Sequence, residues 1–355
     1  MQRINNTMHL IFVRLICLTM KKVNFLPVLG IVFLLCNCIS RNDELILSGS
    51  YSYTSYDTDL KNNIRKFYFY TENTGYCTTD SGKIYKTTNA GVNWIGYNTP
   101  TDLPLYDLFF VNDHTGYAVG GQSGSIGINS TVPGSVVLKT ADGGTTWIKQ
   151  SVPYSWSELH SVYFVTPEKG FAVGSGLLIK TADGGKSWKQ FAIDYKGYIT
   201  KVYFVNEKTG FITGLSGNLF RTLDGGDTWN KISLNTTVHL YDIYFANENV
   251  GYCGGDPHVF KTTDSGKSWS SLDGSATGYF QVYFASEKYG FTIGRGHYTG
   301  GDWGAYTTML SETKDGGKTW TNHDNLEFGS PVSFPTKNIG YAFGINRKLF
   351  KILIK

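Results

Sequence analysis

The chain has 355 residues, with 32 Lys and Arg against 28 Asp and Glu, a formal net charge of +4. The excess belongs to the first 37 residues, which carry Arg3, Arg14, Lys21 and Lys22 and no acid, so 28 residues of each sign remain after them. A formally neutral chain without Lys/Arg clusters lacks the basic face that nucleic acid requires.

Residues 1–19 are apolar but interrupted by Arg14, whereas Met20-Lys21-Lys22 reads as a second start, with a short basic segment before the apolar run Phe25 to Leu35. That run is about eleven residues, short of the roughly 20 needed to span a bilayer, so residues 1–37 read as a signal peptide whose true start is Met20. It ends in Leu35-Cys36-Asn37-Cys38, which resembles a lipobox with Cys38 as the lipidated residue, although Asn37 departs from the small residue usual there. Simple cleavage and release is the alternative. Residues 38–44 are then a linker, and the protein is expected in the bacterial cell envelope, exported and membrane-anchored. Of the remaining cysteines, Cys77 and Cys253 occupy the same Gly-Tyr-Cys position in distant repeats, which predicts buried thiols and no disulfide.

From residue 45 onward the chain is repetitive. Six copies of one octapeptide end at Trp94, Trp147, Trp188, Trp229, Trp269 and Trp320, and their separations of 53, 41, 41, 40 and 51 give a period of about 41 with two insertions. A fixed period of that size means stacked supersecondary units. Within Thr181-Ala-Asp-Gly-Gly-Lys-Ser-Trp188, the Asp carboxylate is expected to accept backbone N–H groups two residues on, and Gly takes a positive φ without strain. Asp142, Asp183, Asp224, Asp264 and Asp315 are therefore read as turn formers, since equivalent positions around a repeat cannot all serve one active site. Asn89 holds that place in the first copy.

These octapeptides resemble the Asp-box, or BNR, repeat of sialidases, the sortilin ectodomain and the photosystem II assembly and stability factors, all β-propellers. The accompanying segment around Val202-Tyr-Phe-Val-Asn-Glu-Lys-Thr-Gly-Phe211 is most similar to the assembly-factor branch. The resemblance covers residues 45–355 and implies an all-β propeller. Each repeat reads as four strands, A to D, with the Asp-box as the C–D turn. In the fourth repeat these are Lys201–Val205, Gly210–Thr213, Asn218–Thr222 and Trp229–Leu234. Equivalent A strands are expected at Phe67–Tyr70, Leu108–Val111, Val162–Val165, Ile243–Ala246, Val282–Ala285 and Val332–Pro335. Seven A strands against six Asp-boxes leave the last repeat, which ends after strand C at Lys348–Ile354, without a D strand. Leu45–Tyr51 is expected to supply it, closing a seven-bladed ring and removing its open edge. The chain would then enter at the Asp-box end, placing that face toward the membrane.

Both insertions, Gly121–Ser135 and Arg295–Thr308, are B–C connections and rise from the face opposite the Asp-boxes. Loops on a rigid scaffold are the usual place for binding. The candidate binding face is Tyr154, Trp156, Tyr198, Arg295, His297, Tyr298, Asp302, Trp303 and Tyr306, a set suited to a polypeptide or a sugar ring. Near the start of the A strands, Lys66, Asp107, Ser161, Lys201, Asp242, Gln281 and Pro331 form a ring, read mainly as solvated rim charges. The histidines lack metal-ligand spacing, so no metal and no cofactor are expected. The assembly-factor resemblance implies a monomeric, non-enzymatic scaffold for a polypeptide. The alternative is a glycan-binding protein or a hydrolase of the sialidase kind, for which the mature chain beyond Arg41 offers only Arg65, Arg221, Arg295 and Arg347 and lacks the characteristic Arg-Ile-Pro segment.

Overall fold

The computed structural model describes residues 43–45, 51–60, 63–122, 134–153, 157–256, 258–272, 279–298, 306–326, 328–344 and 347–354. The signal peptide and Cys38 lie outside the described residues. Six antiparallel sheets of four strands and one of five make a seven-bladed β-propeller. Blade four is typical, with strand A at Ile199–Phe204, B at Gly210–Gly214, C at Leu219–Thr222 and D at Asn230–Ile232. The other A strands are Ile64–Phe69, Leu105–Phe110, Leu159–Phe164, His239–Phe245, Tyr279–Phe284 and Phe328–Ser333. They begin earlier than expected from the apolar pattern alone. Each packs beside the A strands of its neighbours, and blade seven meets blade one.

Repeated aromatic contacts hold the blades together. The aromatic that follows the first Gly of strand B stacks on the Phe near the end of the next blade's strand A: Tyr76 on Phe110 at 4.0 Å, Tyr117 on Phe164 at 3.8 Å, and Tyr341 on Phe69 at 3.7 Å across the closing junction. The Asp-box Trp stands edge-on to the same Phe, as Trp188 does to Phe164 at 6.0 Å and 90°. Each such pair contributes about 0.5–1.5 kcal/mol beyond its buried area. The Gly before the aromatic is required by this packing, because a Cβ on Gly170 would lie 2.5 Å from the Phe164 ring. Polar bonds follow the same route: the Tyr117 hydroxyl and the Lys139 ammonium both donate to the Gly184 carbonyl of the next Asp-box, at 2.7 and 2.6 Å.

The Asp-box is a closed hydrogen-bond unit. Thr181 Oγ1 donates to Asp183 Oδ1 at 2.8 Å and accepts the Gly185 N–H at 2.8 Å, while Asp183 accepts the Ser187 N–H at 2.9 Å and the Ser187 hydroxyl at 2.6 Å. Gly184 and Gly185 take φ of 68° and 79°. In blade one, Asn89 Oδ1 accepts from Thr87 Oγ1 and from the Asn93 N–H, both at 3.0 Å, and Ala90 tolerates φ of 59°. The five Asp side chains are thus turn formers, as their repetition implies.

The ring is closed by an N-terminal strand, but by Tyr51–Asp57 and not Leu45–Tyr51. It pairs with Lys348–Ile354 from Tyr51↔Ile354 to Asp57↔Lys348. The apolar Leu45-Ile-Leu is a misleading cue, because Leu45 belongs to a further strand, and the strand that pairs with Lys348–Ile354 is the less apolar stretch that follows. Ser52, Tyr53 and Ser55 are its buried members, with Tyr53 edge-on to Phe350 at 5.5 Å. Asp43–Leu45 adds a fifth strand outside it, antiparallel, with Asp43 opposite Ser55 and Leu45 opposite Tyr53. The chain therefore enters blade seven from the insertion-loop side, contrary to the direction expected, because this additional strand reverses its course. Cys77 and Cys253 are buried free thiols. The blade-six insertion is partly a hairpin, Gly290–Tyr298 with Tyr306–Thr313.

Candidate functional site

A β-bulge recurs near the start of every A strand. Pairing runs Ile64↔Thr79 then Lys66↔Thr78, Leu105↔Gly120 then Asp107↔Val119, and Ile199↔Gly214 then Lys201↔Thr213, with the same step in blades three, five and six and a longer one, Gly329↔Phe343 then Val332↔Ala342, in blade seven. A bulge opposes two residues to one and re-aims side chains. Here Arg65, Tyr106, His160, Thr200 and Tyr241, together with the charged residues that follow them, line one cavity of about 160 Å³ at the channel mouth on the insertion face. The early starts of the A strands and the missed lining residues thus have the same cause. Strict alternation would send Arg65 and Lys66 to opposite faces.

The lower tier is not a set of solvated rim charges. Asp107 and Asp242 have side chains only 6% and 14% exposed, and Lys66 and Lys201 are 18% and 23% exposed. Asp107 Oδ2 accepts the Val162 N–H of the next blade at 3.0 Å, Asp242 Oδ2 accepts Val282 N–H at 3.2 Å, and Gln281 Oε1 accepts Val332 N–H at 2.8 Å. Ser161 Oγ accepts Val202 N–H at 3.4 Å. These side chains clasp neighbouring blades. Lys66 Nζ lies 3.0 Å from Asp107 Oδ1, and Lys201 Nζ lies 3.8 Å from Asp242 Oδ1. Burial pushes the Lys66 ammonium below its ordinary value, against the pull of Asp107. Burial works to raise the Asp107 carboxyl, but Lys66, Lys201 and the Val162 N–H together hold it below the usual carboxylate value.

The upper tier is a continuous arc over blades one to four. Arg65 pairs with Asp80 and lies 5.6 Å over the Tyr106 ring, Tyr106 lies 5.4 Å from His160, and His160 stacks on Tyr198 at 4.1 Å. Burial pushes the Tyr198 phenol up to about 12, and its hydroxyl shares a hydrogen bond with His160 Nδ1 at 3.2 Å. His160 Nε2 then faces Glu158 Oε1 at 3.4 Å, and burial holds the imidazole below its ordinary value despite that carboxylate.

Of the residues expected on the binding face, Tyr198 is in this arc, 39% exposed. Tyr154, Trp156, Asp302 and Trp303 lie outside the described residues. Arg295, His297, Tyr298 and Tyr306 fall on the blade-six hairpin, where the backbone pairs Arg295 with Thr308 and Tyr298 with Tyr306, and their side chains are outside the description. Arg65, Tyr106, His160 and Tyr241 are the additions. Their only sequence signal is the position just before each ring residue. Among the described residues no group of three or more His, Cys, Asp or Glu is arranged to hold a metal ion.

A closed ring of Asp-box blades, with its chemistry gathered at one channel mouth and its repeated carboxylates consumed in turns, defines an Asp-box propeller. The family model described as photosynthesis system II assembly factor YCF48 matches residues 95–197, 155–239 and 186–278, together just over half of the chain, and the chain belongs to that family. Among solved structures it is similar to a YCF48 bound to D1 peptide, with 14% identity, a TM-score of 0.65, and 85% of this chain and 97% of the other covered. It is similar also to YCF48 from Cyanidioschyzon merolae, with 16% identity, a TM-score of 0.63, and 84% and 98% covered. The GH74 enzyme of Niastella koreensis matches at 15% identity and a TM-score of 0.63, over 83% of this chain and 53% of that one. No curated protein matches the sequence.

Proposed function

We propose that the protein is a non-enzymatic scaffold that holds a polypeptide partner on its insertion-loop face, exported to the cell envelope and anchored there by lipid on Cys38. The observation that carries this reading is the channel mouth, where the Arg65–Tyr106–His160–Tyr198 arc surmounts buried charges on a rigid ring. Family membership supports a polypeptide as the occupant, since one similar propeller is bound to a peptide. The test is in-cell photo-crosslinking from Tyr198→p-benzoylphenylalanine, with Lys186→p-benzoylphenylalanine on the Asp-box face as the comparison. Adducts with a discrete protein are expected from position 198; adducts from position 186 alone would refute the choice of face.

The GH74 neighbour supports a second reading as a glycoside hydrolase. A carboxylate pair able to act as acid and base must be free to reach substrate. Asp107 and Asp242 instead each accept a backbone N–H and lie beside a lysine. The sialidase variant fares no better: Arg65 is paired with Asp80 at the mouth, while Arg221 is buried in strand C next to the Asp-box. Xyloglucan and sialosides are expected to be inert with purified protein, and turnover abolished by Asp107→Asn would reverse the assignment.

A further inference from the structure

The two lysines of the lower tier differ from the other polar members of their ring. Asp107, Ser161, Asp242 and Gln281 accept a backbone N–H from the next blade, which turns their oxygen atoms into the wall of the channel. An ammonium has no lone pair and cannot do this. Lys66 and Lys201 come from blades one and four, three blades apart, yet line the same cavity, and the charge of Lys201 is one of the influences lowering Lys66. They are also the more exposed partners, at 18% and 23% against 6% and 14% for the carboxylates. The ammonium groups are therefore the more exposed charges at the lumen, although Asp107 and Asp242 line the same cavity and the four charges sum to zero.

Donor capacity remains at this floor. Each ammonium has three N–H groups. Lys66 directs one at Asp107 over 3.0 Å, and Lys201 stands 3.8 Å from Asp242, beyond a hydrogen bond. The cavity of about 160 Å³ is smaller than the roughly 300–1,000 Å³ of small-molecule sites. It has room for about five waters or one small polar group. We propose that the floor of the channel mouth is a single-carboxylate subsite, in which one carboxylate bridges the Lys66 and Lys201 ammonium groups while the group attached to it lies against the Tyr106–His160 arc. The carboxylate comes either from the C-terminus of a polypeptide or from a small free acid; the recognition chemistry is the same. This deepens the scaffold reading and rests on it only for the choice of face.

The test uses the full propeller and three probes: acetate, the tetrapeptide Ala-Ala-Tyr-Ala, and its C-terminal amide, each against chloride at matched ionic strength. Binding is read from the side-chain NMR resonances of Lys66 and Lys201 and by calorimetry. Saturable shifts with acetate or with the free-acid peptide are expected, weakened roughly 10- to 100-fold in Lys201→Gln, the loss typical of a hydrogen bond to a charged group. Free acid binding tighter than both amide and acetate assigns the subsite to a chain terminus, whereas a response to acetate with both peptides inert assigns it to a small acid. If Lys201→Gln does not fold, the wild-type titration decides by itself. No response to acetate beyond chloride together with equal behaviour of acid and amide, or an affinity unchanged in folded Lys201→Gln, overturns the proposal. Crosslinking from position 198 does not depend on the lysines, so that reading can stand while this one falls.

Discussion

Thr181→Val is expected to destabilise the propeller more than any change of shape can explain. Valine matches threonine in volume, so packing at a side chain that is 1% exposed is preserved while one hydroxyl is lost. That hydroxyl has two roles, accepting the Gly185 N–H at 2.8 Å and donating to Asp183 Oδ1 at 2.8 Å. Leaving a buried N–H without a partner costs about 1–3 kcal/mol, and the second bond adds about 1 kcal/mol, so the expected loss is about 2–4 kcal/mol. Thr181→Ser keeps both bonds and removes one methyl group, for about 0.8 kcal/mol. Urea unfolding followed by fluorescence measures the difference. At a slope of about 3 kcal/mol per M, the valine variant should lower the midpoint by roughly 1 M and the serine variant by roughly 0.3 M. A valine midpoint within 0.2 M of the serine one, roughly a fifth of the expected shift, would refute the role given to the hydroxyl.

Two further outcomes follow from the same geometry. The Ser187 hydroxyl and N–H hold the Asp183 carboxyl at about 2, below the ordinary carboxylate value. A lowered folded value means stability that is present above the unfolded pKa near 4 and lost as pH falls through about 2. The stability difference between wild type and Asp183→Asn should therefore persist at pH 5, shrink steeply between pH 4 and pH 2 and vanish only below pH 2; a difference already gone at pH 4 would contradict the bond pattern. Deleting Tyr51–Asp57 should expose the edge of Lys348–Ile354 and cause aggregation, visible in light scattering, whereas a soluble deletion variant with an unchanged melting transition would show that the strand is not the closure.

What the sequence made legible was whatever is repeated. The Asp-box, its Trp and the Gly-aromatic pair that opens strand B recur because each blade solves the same problem, covering one sheet with the next, and periodicity exposes such solutions without knowledge of any contact. The last C strand was found at Lys348–Ile354 because it is apolar and followed an intact pattern. The closing strand was displaced because it belongs to no repeat. Its polar, tyrosine-rich Tyr-Ser-Tyr-Thr-Ser-Tyr sequence competes with a more apolar neighbour, and the pairing partner that decides between them lies about 300 residues away in the chain.

The channel mouth was half legible for a different reason. Aligning the repeats located Lys66, Asp107, Lys201 and Asp242 but gave no indication that their predecessors share the same lumen, because a bulge breaks the alternation on which such placement rests. The same alignment contains the functional signal once the structure assigns a task to each position. Where the residue is Asp, Ser or Gln, an oxygen reaches the backbone of the next blade and the position is occupied by the fold. At blades one and four the residue is Lys, and neighbouring hydroxyls bind across the junction instead, from Thr78 to the Leu105 carbonyl and from Thr200 to the Leu240 carbonyl, both at 2.7 Å. With the junction backbone held by those threonines, the lysines serve the fold as counter-ions to Asp107 and Asp242 of the next blade, and each ammonium keeps N–H groups beyond that pairing. Two cations in a buried ring, each with donor capacity beyond the carboxylate it faces, suit the carboxylate ligand proposed above.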